Sequence, residues 1–195
     1  IGFLSVLFIT FFFIKDGDLI LKKINNLLPK KIKNNFLDSV SKIKMLLSRY
    51  FIGISVQIFS LFVLYSIMLS IIGIKNALVI AFLCALLNII PYIGPLISIV
   101  LMAVLTMTNY IDSMLIKEML SKVGYIFIGF SIVQLIDNLL IQPYIFSKSV
   151  KSHPLEVFIV IISSGILFGI IGLIIAIPLY TALKVIYFSY SGKEA

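Results

Sequence analysis

The chain contains no tryptophan, one cysteine (Cys84) and one histidine (His153). A lone cysteine excludes an intrachain disulfide. Without a second histidine or further thiols there is no tetrahedral ligand set, so no metal site is expected. Charge is scarce: 12% of residues are Asp, Glu, Lys or Arg, against about 25% in a soluble domain. Acids are scarcer still, eight against sixteen bases. The sequence carries no nucleophile motif, no phosphate-cradling glycine loop and no pair of catalytic carboxylates, which argues against an enzyme, an ATPase or a bound cofactor. The opening residues lack a basic stretch, so a cleavable signal is not expected in them.

What fills the space is apolar. Hydrophobic residues make up 61% of the chain and mean hydropathy is +1.18. Several runs of eighteen or more residues are free of charge, which reads as an all-α, polytopic membrane protein whose first partner is the lipid bilayer. Residues 1–14 would reach only about 21 Å as a helix, short of the roughly 30 Å hydrocarbon core. They are expected to be the tail of a transmembrane helix that starts before this sequence.

Residues 15–49 hold nine of the sixteen bases and three of the eight acids. That excess marks a cytoplasmic segment by the positive-inside rule. Nucleic acid is not an expected partner, because the basic block lies between apolar spans and no binding module accompanies it. Asp18 is placed to cap a helix over 19–28 that Pro29 would end. A second helix over 30–48 would carry Ile32, Phe36, Val40, Ile43 and Leu47 on one face. The expected organisation is a helix tail at 1–14, a cytoplasmic amphipathic helical segment at 15–49 and a transmembrane transport region at 50–195.

Within that last region, 51–73 reads as a span. Residues 76–108 would measure about 48 Å as one helix, too long for a single upright crossing. Pro91, Tyr92, Ile93, Gly94 and Pro95 interrupt them. Two prolines and a glycine in five residues forbid a continuous helix, so a bent span or a re-entrant hairpin is expected. Freed amides at membrane depth are tolerated where protein or a water-filled cavity satisfies them, and such breaks mark transporter sites. Residues 111–122 read as a polar connection with Asp112, 123–141 as a span, 142–154 as a loop, and 155–190 as a second over-long apolar segment. Lys117 and Lys122 balance Lys148 and Lys151, so the charge rule does not choose between crossing and hairpin. Ile90-Pro91-Tyr92 and Ile177-Pro178-Leu179-Tyr180 echo each other, a possible internal repeat.

Asp137 is the only charge of its span, and an intramembrane carboxylate is a functional hypothesis by default. Ser131, Gln134, Asp137, Asn138 and Gln142 fall at helical spacing as a polar stripe. The stripe suits ion coordination, proton exchange or hydrogen bonding to a polar solute. A structural acid near the helix end is the competing reading. Pro91, Tyr92, Gly94 and Pro95 are candidate site residues because a break there would offer carbonyls and a helix N-terminus to a ligand. Gly165, Gly169 and Gly172 permit close helix approach, within the chain or between copies in a homo-oligomer. With Pro178 they are the candidate packing and conformational residues. Asn88 and Gln57 suit interhelical hydrogen bonds.

Five stretches together resemble the autoinducer-2 exporter family of bacterial permeases. They are FFFIKDGD at 11–18, Leu28-Pro29, LLNIIPYIGPLI at 86–97, QLIDNLLIQPYIFSKSVKSHPL at 134–155 and GILFGIIGLIIAIPLYTALKVI at 165–186. The resemblance implies a multi-pass protein of the bacterial inner membrane that exports a small hydrophilic solute, autoinducer-2 in some members. Other members are described as sodium/proton antiporters. The family commonly has Glu where this chain has Asp137, which keeps the acid and shortens it by one methylene. The resulting expectation is a secondary transporter, with a small polar solute or a monovalent cation or proton at the Asp137 face. The alternatives are an antiporter on the same scaffold and a non-transporting membrane scaffold.

Overall fold

The computed structural model describes residues 2–108, 116–143 and 153–191. Helices α1 (Gly2–Leu27), α2 (Lys30–Ile72), α3 (Ala77–Leu87), α4 (Ile93–Thr108), α5 (Ile116–Ile136) and α6 (Pro154–Ser191) follow one another, with a π-helical turn, Asp137–Ile141, at the end of α5. No strand occurs among the described residues. Three helices there are long and apolar enough to cross a membrane: Ile32–Ile72, Ile116–Ile141 and Leu155–Ser191. The chain is an all-helical membrane protein.

Two helices run further than the sequence suggested. α1 does not stop at Lys15 but continues through Asp16, Gly17 and Asp18, so Asp18 caps nothing. One glycine inside a helix costs only about 1 kcal/mol relative to alanine, less than the following apolar turns return. The stop is Pro29, which keeps the residue before it out of helical dihedrals. Its carbonyl accepts the first amides of α2, from Ile32 at 3.0 Å and Lys33 at 3.2 Å. The helix expected over 30–48 and the span expected from 51 are one element, because no proline separates them. The expected connection over 111–122 is helical from Ile116 onward; Asp112, Lys148 and Lys151 lie outside the described residues.

The chain divides into two compact units, Ile1–Lys44 with Leu183–Ala195, and Met45–Ala182. In the first, the Asn35 side chain donates to the Ser189 carbonyl at 3.3 Å, and buried Ser39 donates to the Asn35 carbonyl at 2.6 Å.

The second unit holds the core. Leu61, Tyr65, Met68 and Leu69 of α2 pack with Ile80, Ala81, Cys84 and Ala85 of α3, Met102 of α4, and Ile126, Phe130 and Val133 of α5. Tyr65 stacks on Phe130 with ring centroids 5.7 Å apart. α2 ends in a glycine cap: Gly73 has φ +76, its amide bonds Ser70 O, and the Ile74 amide bonds Leu69 O, each at 3.0 Å. The Lys122 ammonium of α5 donates to the Ile72 carbonyl there. Gly129 faces Met68, and a Cβ on it would lie 2.7 Å from the Met68 sulfur. α2 and α5 are therefore antiparallel neighbours, which brings residues near 57–65 opposite 134–137.

α3 and α4 form a tight hairpin. Ser98 of α4 donates to the Cys84 carbonyl of α3 at 2.9 Å, and Asn88 donates to Ser98 Oγ at 3.3 Å. At eleven and sixteen residues the arms reach about 16 and 24 Å, neither enough to cross a bilayer. The break between them is compact. Ile90 N–H bonds Leu87 O, Ile93 N–H bonds Pro91 O at 2.8 Å, and Gly94 N–H bonds Ile90 O at 2.8 Å. The carbonyls of Leu87, Ile90 and Pro91 are thus engaged locally, where the sequence suggested free carbonyls for a ligand. Tyr92 adopts φ +66 to make the turn, and its ring meets Phe158 edge-on at 5.8 Å.

α6 is also a hairpin. Gly169 has φ +63 and ψ −145, outside helical space. Beyond it the chain doubles back. The Tyr180 hydroxyl donates to Glu156 Oε2 at 2.6 Å, and a Cβ on Gly165 would lie 2.5 Å from Leu173 Cδ2. A Cβ on Gly172 would collide with the Ser164 carbonyl. A span by length alone is therefore two arms, 154–168 and 170–191. Ile161, Ala176 and Ile177 of these arms pack with Ile90 of the break and with Tyr50 and Ile54 of α2. Pro178 lies inside the second arm and Pro91 in a turn, so the two Ile-Pro echoes do not occupy equivalent places. Gly169→Ala has free space for its methyl group but forces an alanine into dihedrals that only glycine adopts readily. We expect it to lower stability by about 1–3 kcal/mol, read as a fall in thermal midpoint in detergent, while Gly124→Ala, mid-helix and unobstructed, does not.

Candidate site: a buried carboxylate between two helices

α2 presents Tyr50, Ile54, Gln57, Leu61 and Tyr65 on its buried side, at spacings of four, three, four and four. α5 turns Ile126, Phe130, Val133 and Asp137 toward the interior. Where the faces meet, Asp137 is 0% exposed and Gln57 is 3% exposed. Gln57 Nε2 bridges both carboxylate oxygens, 3.1 Å from Oδ1 and 3.0 Å from Oδ2. Gln142 Nε2 donates to Oδ2 at 2.8 Å. Among the described residues no Lys, Arg or His nitrogen bonds to Asp137. The acid is solvated by two neutral amides, with no counter-charge bonded to it among the described residues. Buried charges in proteins are ordinarily paired, so this carboxyl group is suited to hold a proton or a cation.

A second polar pair lies one turn away. The Tyr65 hydroxyl donates to Gln134 Oε1 at 3.1 Å. Asn88 stands at the start of the α3–α4 break. Asn88 is 3% exposed and donates to the Cys84 carbonyl at 2.8 Å, while its Oδ1 has no partner. Buried polar side chains thus lie both at the break, in Asn88 and Ser98, and near Asp137, in the Tyr65–Gln134 pair. Tyr65→Phe removes one hydroxyl hydrogen bond and leaves the ring stack. We expect a loss of about 1 kcal/mol, checked by thermal unfolding in detergent.

The polar stripe read from sequence divides in three dimensions. Asp137 is buried, Gln134 and Gln142 are half-buried, and Asn138 and Ser131 are exposed. Ser131 donates within its own helix, to the Phe127 carbonyl at 2.8 Å. Gly94 is buried at the hairpin approach, Pro91 and Pro95 are half-buried and Tyr92 is exposed. None of these four bonds to Asp137. Gly165 and Gly172 sit where the arms of α6 approach and Gly169 at their reversal. His153 Nδ1 accepts the Leu155 amide at 3.3 Å at the start of α6.

Sequence reasoning gave Gln57 an interhelical bond without its partner, and it passed over Tyr65 and Ser98. The signal for Tyr65 was its spacing, eight residues beyond Gln57 and so on the same helical face. Nothing comparable marked Ser98.

Comparison with known proteins bears on the same residues. The family model "AI-2E family transporter" matches residues 1–192. "Putative transport protein YueF" of Bacillus subtilis (strain 168) is 29% identical over 188 residues, covering 94% of this chain and 47% of the relative. YrrI of the same organism, of the same designation, is 26% identical over 181 residues, covering 93% of this chain and 49% of the relative. A transport protein of Borreliella burgdorferi, again so designated, is 26% identical over 191 residues, covering 95% and 51%. The chain spans about half the length of the curated relatives it matches. No solved structure matches it. With a match that runs through nearly every residue, including both hairpins and the buried acid, the chain belongs to the AI-2E family of transporters.

Proposed function

We propose that the protein is a secondary transporter of the cytoplasmic membrane that moves a small hydrophilic solute, in the outward direction, by alternating access. The observation that carries the reading is Asp137, fully buried within a span and without a basic partner among the described residues. A carboxyl group so placed binds a proton or monovalent cation in one state and releases it in another. An ion gradient drives transport only through such differential binding. The two hairpins support the reading. Their arms are short, uncharged at the turns and packed together through Ile90, Tyr92, Phe158 and Ile177. A hairpin that dips into a bilayer and returns gives a polar solute a route that continuous helices do not. In this reading α3 and α4 re-enter the membrane, and the Asn88–Tyr65–Gln134 polar groups line the path.

The test is flux in proteoliposomes made from the purified protein, loaded with a panel of small polar solutes, under imposed proton or sodium gradients. Solute movement that follows one gradient supports the proposal. Cation movement that tracks sodium and pH with no organic solute would replace it with an antiporter on the same carboxylate. No gradient-dependent flux of any kind would remove both.

A further inference from the structure

Gln142 reaches Asp137 only because of the π turn. In an α-helix, residues five apart stand about 140° apart around the axis, so their side chains do not meet. Here the Gln142 N–H bonds the Asp137 carbonyl, a five-residue step, and the wider turn returns Gln142 to the side of Asp137. Its Nε2 then lies 2.8 Å from Oδ2. Gln57 approaches from α2 and spans both oxygens. Leu139 and Leu140, inside the turn, are exposed, so among the described residues no neighbour packs over this segment from the outside. π turns inside α-helices are rare and concentrate at functional sites.

We propose that Gln57 and Gln142 are positioning residues that form a two-amide clamp on Asp137, with Gln142 the jaw that opens when the carboxyl group is protonated. The inference takes the use of the clamp, though not its existence, from the transport reading above. The chemistry is one of donors and acceptors. Ionised Oδ2 accepts from Gln142. A proton taken from a water-borne acid and bound at Oδ2 turns that atom into a donor, facing the Gln142 amino group, which is also a donor. The Gln142 hydrogen bond breaks together with the Gln57 bond to the same oxygen, the π turn loses the contact that holds it, and the carboxyl group stays tethered to Gln57 through Oδ1 alone. Release of the proton restores the acceptor and closes the jaw. Among the described residues the side chains bonded to the carboxyl are Gln57 from α2 and Gln142 from its own helix, and the nearby titratable hydroxyl of α2, Tyr65, is bonded to Gln134.

A hydrophobic carbodiimide reports the open, protonated form without requiring transport. The acid O–H adds across one C=N bond to give an acylisourea, which rearranges to a stable N-acylurea read by peptide mass. The purified protein in proteoliposomes is labelled across acid to neutral pH, with Asp137→Asn as the blank and lipid-facing Leu135→Ala as the control. Gln142→Ala, and Gln142→Asn with its shorter reach, are expected to label about fivefold faster than the parent, with a displaced pH profile. Leu135→Ala is expected to match the parent. Equal rates and equal pH profiles for the parent and both Gln142 variants would overturn the clamp, as would a parent Asp137 that takes no label at any pH. Clamp-dependent labelling in a protein that moves no solute would uphold the clamp and remove the transport reading instead.

Discussion

Asp137→Asn is expected to abolish gradient-driven flux while leaving the protein folded. Asparagine matches the shape of aspartate and keeps one oxygen for Gln57, so the hydrogen-bond loss is bounded. The other position now carries an amino group that meets Gln142 Nε2 donor to donor, which costs about 1–3 kcal/mol if neither side chain flips. An asparagine binds neither proton nor cation at neutral pH. If the ion gradient acts through Asp137, its differential binding to the two states vanishes and coupled flux falls by more than tenfold, the factor that about 1.4 kcal/mol commands. Passive exchange of solute, measured with no gradient, is expected to survive. Thermal unfolding of the same preparation separates a lost ion site from a lost fold. Coupled flux at the parent rate in a folded Asp137→Asn protein would place the coupling elsewhere. Asp137→Glu, which keeps a carboxyl group one methylene further out, is expected to retain coupled flux.

Gly94→Ala is expected to be the most damaging single substitution in the α3–α4 hairpin. A Cβ there would collide with the Leu87 carbonyl and sit 2.8 Å from the Asn88 Cα. Both obstacles are backbone, so no side-chain rotation relieves them. The arms must separate, and with them go the Ser98–Cys84 and Asn88–Ser98 hydrogen bonds. Overpacking of a tight core costs about 1–3 kcal/mol, and each buried polar group left unsatisfied adds about 1–3 kcal/mol more. A thermal midpoint lowered by several degrees in detergent, with faster proteolysis between α3 and α4, is the expected result. Pro95→Ala gives the contrast. Pro95 lies in the first turn of α4, where its missing amide has no partner to lose, so a change within about 1 kcal/mol is expected. A Gly94→Ala protein as stable as the parent would mean that the arms do not pack at this distance.

These two sites owe their form to two kinds of information, local and tertiary. Membrane class and helix content were plain in the composition, because a long uncharged apolar run has few other stable homes. The break at Pro91–Pro95 was equally plain, because two prolines and a glycine within five residues disfavour an unbroken helix far more than one proline such as Pro178 does. Asp137 stood out because a lone acid in an apolar span is costly wherever it points. All of these are local properties of the chain, and local sterics or solvation fixed them. What surrounds Asp137 is not local. Gln57 lies eighty residues away, and a glutamine in an apolar helix carries no mark of the residue it will face. The stripe of polar residues assumed a uniform 3.6-residue period. The π turn broke that period at Asp137, which brought Gln142 to the carboxylate and left Asn138 exposed. The reversal at Gly169 was hidden for a related reason: glycine in an apolar segment serves close packing, a hinge or a turn, and only the approach of Ser164 to Gly172 selects among them. The membrane class, the break at Pro91–Pro95 and the lone acid of its span were thus determined by the sequence alone. Which helix faces which, and what holds the buried acid, was decided by tertiary packing, because hydrogen bonds between distant segments depend on helix register and separation that no local pattern encodes.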